Sequence, residues 1–195
     1  MNFLAHIFLS GDDEELLLGN FIADSVKGKQ MHLYQPGIAK GIRLHRLIDT
    51  YTDMHPVVMQ TKRRLRPHYG KFSPVIADIF YDHFLAKQFG KFSAEPLSAY
   101  AARIYSLIQQ HHHILPARVQ YMLPYMVEQN WLLSYAALPG IKQVLTGMSR
   151  RTTFYSGMET ASEELEKQYS AYQADFEAFF PDLQAYVQVV KKDLE

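Results

Sequence analysis

The sequence predicts an all-α protein, a single-domain helical bundle, on three observations. Nowhere along its 195 residues do β-branched and polar residues alternate convincingly with the period of a strand. Apolar residues recur instead at the three- and four-residue spacings of helices, and prolines and glycines fall where those segments begin and end. No internal repeat or linker divides the chain, and 48% hydrophobic with 13% aromatic content suffices for one sizeable core.

In order along the chain, Asn2 to Leu9 reads as a buried helical turn or two with His6 as its strong polar group. Asp12 with Glu15 resembles a capping box, starting a helix that runs to about Val26 and stops at Lys27-Gly28. Leu17, Asn20, Phe21 and Asp24 fall on neighbouring positions of it, setting Asp24 in or beside an apolar stripe. Pro36 suits a first helical turn and begins the next helix, which ends at Met54-His55-Pro56 because a residue before proline avoids the α region. Lys62, Arg63, Arg64, Arg66, His68 and Lys71 make up the most basic patch and read as solvent-facing. Pro74 starts a helix closed by Gly90, with Asp78 and Asp82 on its core-facing stripe. Ala94 to about Gln110 forms a helix, His111-His112-His113 a solvated loop, and Arg118 to about Ala137 a helix kinked at Pro124. Trp131 and Tyr135 read as core aromatics there. After a short helix from Ile141 to Met148, residues 156–195 read as an acidic amphipathic helix, broken at Pro181 and packing on the rest.

Composition narrows the function. Formal net charge is zero, so no global field draws the chain to nucleic acid or a membrane. Cysteine is absent, which excludes disulfides, thiolate metal sites and cysteine nucleophiles. The opening apolar run is too short for a membrane span and lacks the basic flank of a signal peptide, so a cytoplasmic protein is expected. No Gly-rich phosphate loop, Ser-His-Asp ordering or HExxH motif appears.

The chemistry gathers around His45 to Asp53, HRLIDTYTD. Helical spacing puts His45 and Asp49 side by side, with Arg46, Asp49 and Asp53 on an adjoining row. Divalent cations take oxygen and imidazole ligands, and side chains pointing inward from several helices are a common way to hold them. Candidates are His6, Asn20 with Asp24, His45 with Asp49, and Asp78 with Asp82 and His83. Each also has a plainer reading: His6 as a core histidine, or Arg46, Asp49 and Asp53 as a surface ion-pair row.

Taken together, Asn2-Phe3-Leu4-Ala5-His6, Gly19-Asn20-x-x-Ala23-Asp24, His45-Arg46-x-Ile48-Asp49-x-x-Thr52-Asp53, Asp78-x-x-x-Asp82-His83-Phe84-Leu85 and Trp131-Leu132-x-x-Tyr135 resemble the bacterial acyl carrier protein phosphodiesterase family. The resemblance runs in order over most of the chain and fades after about Arg151. It implies hydrolysis of the phosphodiester between 4′-phosphopantetheine and a serine of holo-acyl carrier protein, with a divalent metal, typically manganese and alternatively magnesium. It also implies a helical fold like that of the HD metal phosphohydrolases, although the His-Asp dipeptide of that group is absent and the nearest match is the reversed Asp82-His83.

With that chemistry, Asp24, His45 and Asp82 are expected as metal ligands or their immediate supports, and His6 and Asp49 as further ligands or partners. Arg46 is expected to clamp the phosphate and His83 to serve as general acid if it is not a ligand. Lys62, Arg63, Arg64 and Arg66 become the expected docking patch for the acidic carrier protein. Two other readings stay open: a metal phosphohydrolase acting on a small phosphoester or nucleotide, and a non-catalytic helical binding protein whose acids are all structurally paired.

Overall fold

The computed structural model describes residues 1–194. It consists of α1 (Phe3–Ser10), α2 (Glu14–Ile22), α3 (Pro36–Met54), α4 (Pro56–Tyr69), α5 (Ser73–Lys87), α6 (Leu97–Gln110), α7 (Ala117–Glu128), α8 (Trp131–Ser134), α9 (Leu138–Ser149), α10 (Ala161–Lys167) and α11 (Tyr169–Asp193). Short 3-10 turns join several of them, and no strand occurs among the described residues. The all-α expectation is met.

Local chemistry sets the boundaries. Asn2 caps α1 through its side-chain oxygen, 2.8 Å from the Phe3 amide. Asp13, not Asp12, caps α2: its carboxylate accepts from the Leu16 amide at 2.9 Å. Pro36 and Pro56 occupy the first positions of α3 and α4, and His55 between them is extended, as a residue before proline must be.

Helix α5 is the axis of the bundle. Eleven of its fifteen residues are buried, so it has no broad solvent face, and α1, α4, α9 and α11 pack around it. Beside it α2 crosses α3 at very short range. A Cβ on Gly19 would lie 2.0 Å from the Ile38 carbonyl oxygen and 2.8 Å from the Gly41 Cα, so only glycine fits. That crossing brings Asn20 of α2 against His45 of α3.

Three further sequence expectations are corrected. Helix α2 ends at Ile22 and passes into a 3-10 turn, Ala23–Ser25, which takes Asp24 off the apolar stripe and leaves it exposed. The helix expected from Arg118 to Ala137 stops at Glu128. Asn130 then adopts a left-handed conformation (φ 44°), which asparagine tolerates well, and caps the separate α8. In the tail the break falls at Gln168, and α11 runs straight through Pro181. Proline removes one helical hydrogen bond there, but it sits on the exposed side while Phe179, Phe180 and Leu183 hold the helix against the core.

Candidate metal centre and cleft

Two helices and one 3-10 turn supply the centre. His6 comes from α1, His45 and Asp49 from consecutive turns of α3, and Asp24 from the turn after α2. The His6 and His45 rings stack with centroids 3.8 Å apart. His6 Nε2 lies 3.1 Å from Asp49 Oδ1, and His45 Nε2 lies 3.2 Å from both Asp49 Oδ2 and Asp24 Oδ1. One ligand atom from each of His6, His45 and Asp49 falls within 4.8 Å of the others.

Asn20 decides which ring nitrogens carry hydrogen. Its side-chain amide donates to the His6 carbonyl at 2.7 Å and to Ser10 Oγ at 2.9 Å, leaving Oδ1 as the acceptor. That oxygen faces His6 Nδ1 at 2.9 Å and His45 Nδ1 at 3.0 Å. The hydrogen-bond network thus assigns hydrogen to both Nδ1 atoms, so in the neutral rings both Nε2 lone pairs point at carboxylates. Lone pair against lone pair is repulsive, and a proton or a cation between them removes the conflict.

The titration behaviour follows. Burial pulls His45 down, but Asp24 and Asp49 together outweigh it and hold the ring protonated up to about 9. Burial, with the His45 charge, drops His6 to about 4, and its buried Nε2 has no hydrogen-bond partner. The Asp49 carboxyl is opposed by burial, yet His45 and His6 keep it far below the ordinary carboxylate range. The hydrogen bond with His45 lowers Asp24 as well. Near neutral pH the four groups share one surplus proton and carry a net −1 (one imidazolium against two carboxylates). Two imidazole nitrogens converging with carboxylate oxygens, one nitrogen buried and unpartnered, fit a divalent transition cation better than an all-oxygen calcium site would.

His45, Asp49 and Asp24 line one end of a cleft of about 620 Å³. Thr52, Asp53 and Asp78 continue the same wall, and the Thr52 hydroxyl is buried without a partner. The far wall comes from α7, α8, α9 and the chain after α9, including Trp131, Gln143 and Met148.

A sequence profile of the acyl carrier protein phosphodiesterases matches residues 1–183. The chain belongs to that family. A relative from Photorhabdus laumondii, named acyl carrier protein phosphodiesterase, is 36% identical over 182 residues, covering 93% of this chain and 92% of its own. Relatives of the same name from Yersinia enterocolitica and an Enterobacter species are 33% and 31% identical, covering 96% and 100% of this chain and 98% and 100% of their own. No solved structure matches.

The structure brings together five of the sequence candidates of this family member, His6, Asn20, Asp24, His45 and Asp49, keeps Asp78 on the cleft wall, and places Asp82 and His83 elsewhere. Asp82 is fully buried at the start of α1, where its two oxygens accept from the Asn2 amide at 3.1 Å and the Leu4 amide at 2.8 Å. Burial pushes its carboxyl up to about 7 against the pull of the Met1 ammonium and those amides. Asp78 pairs with the Met1 ammonium at 2.8 Å. His83 has both ring nitrogens engaged, Nδ1 at 2.7 Å from the Tyr135 carbonyl and Nε2 at 2.9 Å from the Tyr169 hydroxyl, and it does not line the cleft.

Arg46 points away from the centre and donates to the Val26 carbonyl at 3.1 Å, fastening the loop beyond Asp24. Arg64 turns inward to Asp175 at 2.6 Å, whereas Lys62, Arg63 and Arg66 border a shallow depression that shares Pro74 with the cleft. Trp131, read from sequence as core, is only partly buried and lines the cleft; Tyr135 is the core residue of that pair. Sequence reasoning also missed Ser10, which orients Asn20, and the cleft arginines Arg118 and Arg151. Arg118 stands alone on α7 and Arg151 lies in the turn after α9, so neither carries a periodic signal that could have found it.

Proposed function

We propose that the chain hydrolyses the phosphodiester of holo-acyl carrier protein, releasing apo-acyl carrier protein and 4′-phosphopantetheine, and that it does so in the cytoplasm with a divalent cation, manganese or magnesium. The observation that carries the reading is the convergence of the His6 and His45 Nε2 atoms on Asp49 at the end of a cleft, in a chain that matches a phosphodiesterase family over nearly its whole length.

His6, His45 and Asp49 would hold the cation, with Asp24 as the exposed fourth ligand able to follow its demands. When bound, such a cation supplies Lewis acidity toward phosphoryl oxygens and a lowered pKa for water. Everything else falls to the chain itself. Asn20 fixes both imidazoles so that their Nε2 lone pairs face the site. Asp82 holds the first turn of α1 and so positions His6, and Arg46 braces the loop behind Asp24. His83, with no free nitrogen and no place in the cleft wall, has no part in this reading. Arg63 and Arg66, with Lys62 and Lys71, border the depression beside the cleft and suit an acidic carrier protein whose prosthetic arm enters next to Pro74.

The test is to mix the pure protein with holo-acyl carrier protein and Mn²⁺ and read the mass of the carrier. Loss of the phosphopantetheine mass, abolished by chelator and by Asp49→Ala, is expected. Cleavage of nucleotides with the carrier left intact would give the site a different substrate.

A further inference from the structure

We propose that the half of the cleft walled by α7, α8 and α9 seats the pantetheine arm, with Trp131 and the paired carboxamides of Gln129 and Gln143 reading its amide groups. This rests on the reading above and assigns a part of the cleft which that reading leaves unused.

Charge divides the cleft into two halves. The carboxylates that line it, Asp24, Asp49, Asp53 and Asp78, all come from the α2–α3 side and from α5. On the opposite wall the lining side chains are uncharged apart from Arg118 and Arg151. A cation belongs with the first group, and the anionic phosphodiester is drawn there only through that cation. The pantetheine arm, with its dimethyl carbon, hydroxyl, two amides and thiol, is neutral and alternates apolar with amide segments, so it belongs with the second.

The far wall repeats that alternation. Met122, Val144 and Met148 offer apolar surface, and methionine adapts its shape to a flexible chain. Between them stands a hydrogen-bonded set in which Trp131 Nε1 donates to Gln129 Oε1 at 3.1 Å and Gln143 Nε2 donates to the same oxygen at 3.4 Å. Both glutamines are exposed, at the rim of the cleft, and with Oε1 of Gln129 taken twice its own amide hydrogens and the carbonyl oxygen of Gln143 bond to no protein group among the described residues. One carboxamide is left as a donor and the other as an acceptor, which is what a secondary amide requires of its two sides. The indole is also anchored against Phe3 of α1, with centroids 6.5 Å apart, so it ties this wall to the helix that carries His6.

Trp131 is the one tryptophan of the sequence, so its fluorescence reads occupancy of this wall directly. Full-length protein with Mn²⁺ is titrated with pantetheine, with inorganic phosphate and with AMP. Saturable change with pantetheine and none with phosphate is expected. Gln143→Leu should weaken pantetheine by about fivefold, the worth of one hydrogen bond, and leave the Mn²⁺ titration where it was. No response to pantetheine, an equal response to AMP, or an unmoved pantetheine affinity in Gln143→Leu would overturn the assignment. Turnover of the carrier protein without any response to pantetheine overturns this subsite alone. Response without turnover overturns the catalytic reading and supports the subsite.

Discussion

The imidazoles of His6 and His45 lie 3.8 Å apart and 15° from parallel, and one carboxamide oxygen, that of Asn20, takes the Nδ1 hydrogens of both. Two like rings stacked this closely cannot both be protonated, and Asn20 turns each Nε2 toward Asp49, with the one shared proton on His45. Asn20→Leu keeps the volume and removes the acceptor of His6 Nδ1, while His45 Nδ1 keeps only the backbone carbonyl of residue 20, at 2.9 Å. Mn²⁺ affinity should fall by about 10- to 100-fold, as when the outer partner of a ligating histidine is lost. Calorimetric titration measures it, and circular dichroism checks that the helices persist. Unchanged affinity would mean that the rings keep their tautomers without Asn20.

The proton on His45 competes with the cation. In the metal-free protein its pKa stands at about 9 against an ordinary 6.5. A raised folded pKa stabilises the fold fully below 6.5 and loses that contribution as pH climbs through about 9. His6 works in the opposite direction: lowered to about 4, it costs stability as pH falls from 6.5 toward 4. Binding a cation between pH 6.5 and 9 must therefore expel the His45 proton, and affinity should climb with pH across that window. Calorimetry in buffers of different ionisation enthalpy should count about one proton released per cation. Proton release of zero at pH 7.5 would remove His45 from the ligand set.

Asp49 and Asp82 look alike in sequence and part company in the structure. Asp49 faces the two Nε2 atoms, whereas Asp82 spends both oxygens on the amides of Asn2 and Leu4. Asp82→Ala strands two amides at the start of α1 and should cost about 2–5 kcal/mol. Melting should drop with or without Mn²⁺, while the increment that Mn²⁺ adds survives in part. Asp49→Ala should also melt lower without cation, because it removes a partner of the His45 imidazolium, but it should lose the increment altogether. Scanning fluorimetry of both variants with and without Mn²⁺ separates the roles. Loss of the increment in Asp82→Ala alone would return Asp82 to the ligand shell.

These contrasts show which parts of the site were readable in advance. The His45–Asp49 pair was legible because helical spacing alone sets it, and the two side chains meet at 3.2 Å. The partners of that pair were not, because they depend on how helices cross. Glycines at 19 and 41 let α2 and α3 approach so closely that Asn20 reaches both rings. Asp24 and Asp82 both fell on apolar stripes in sequence. The 3-10 turn after Ile22 carried Asp24 out to the site, and the amide end of α1 captured Asp82. Arg46 illustrates the limit of a row on one helix: it shares a face with Asp49 by spacing, yet carbonyls at Val26 and Gly28 claim its guanidinium.

The basic patch of α4 divides in the same way. Arg64 Nη1 meets Asp175 Oδ2 at 2.6 Å, its guanidinium lies 4.9 Å over the Tyr172 ring, and Thr61 donates to the same carboxylate oxygen at 2.6 Å. That cluster fastens α4 to α11 and is largely withdrawn from water. Arg64→Glu would set two carboxylates against each other there and should cost about 3–5 kcal/mol, the range for breaking a buried pair. Arg63 and Arg66 border the open depression beside Pro74 instead. Reversing both should leave the melting temperature near wild type and raise KM for the carrier protein several-fold, with little change in kcat, because rim charges govern encounter more than chemistry. The KM of wild type should rise with salt, and that dependence should flatten in the double variant as the steering charges are gone. Thermal melts of the two variants and KM at low and high ionic strength test this together. A KM unmoved at low salt in the Arg63, Arg66 reversal would place the docking surface on another face of the molecule.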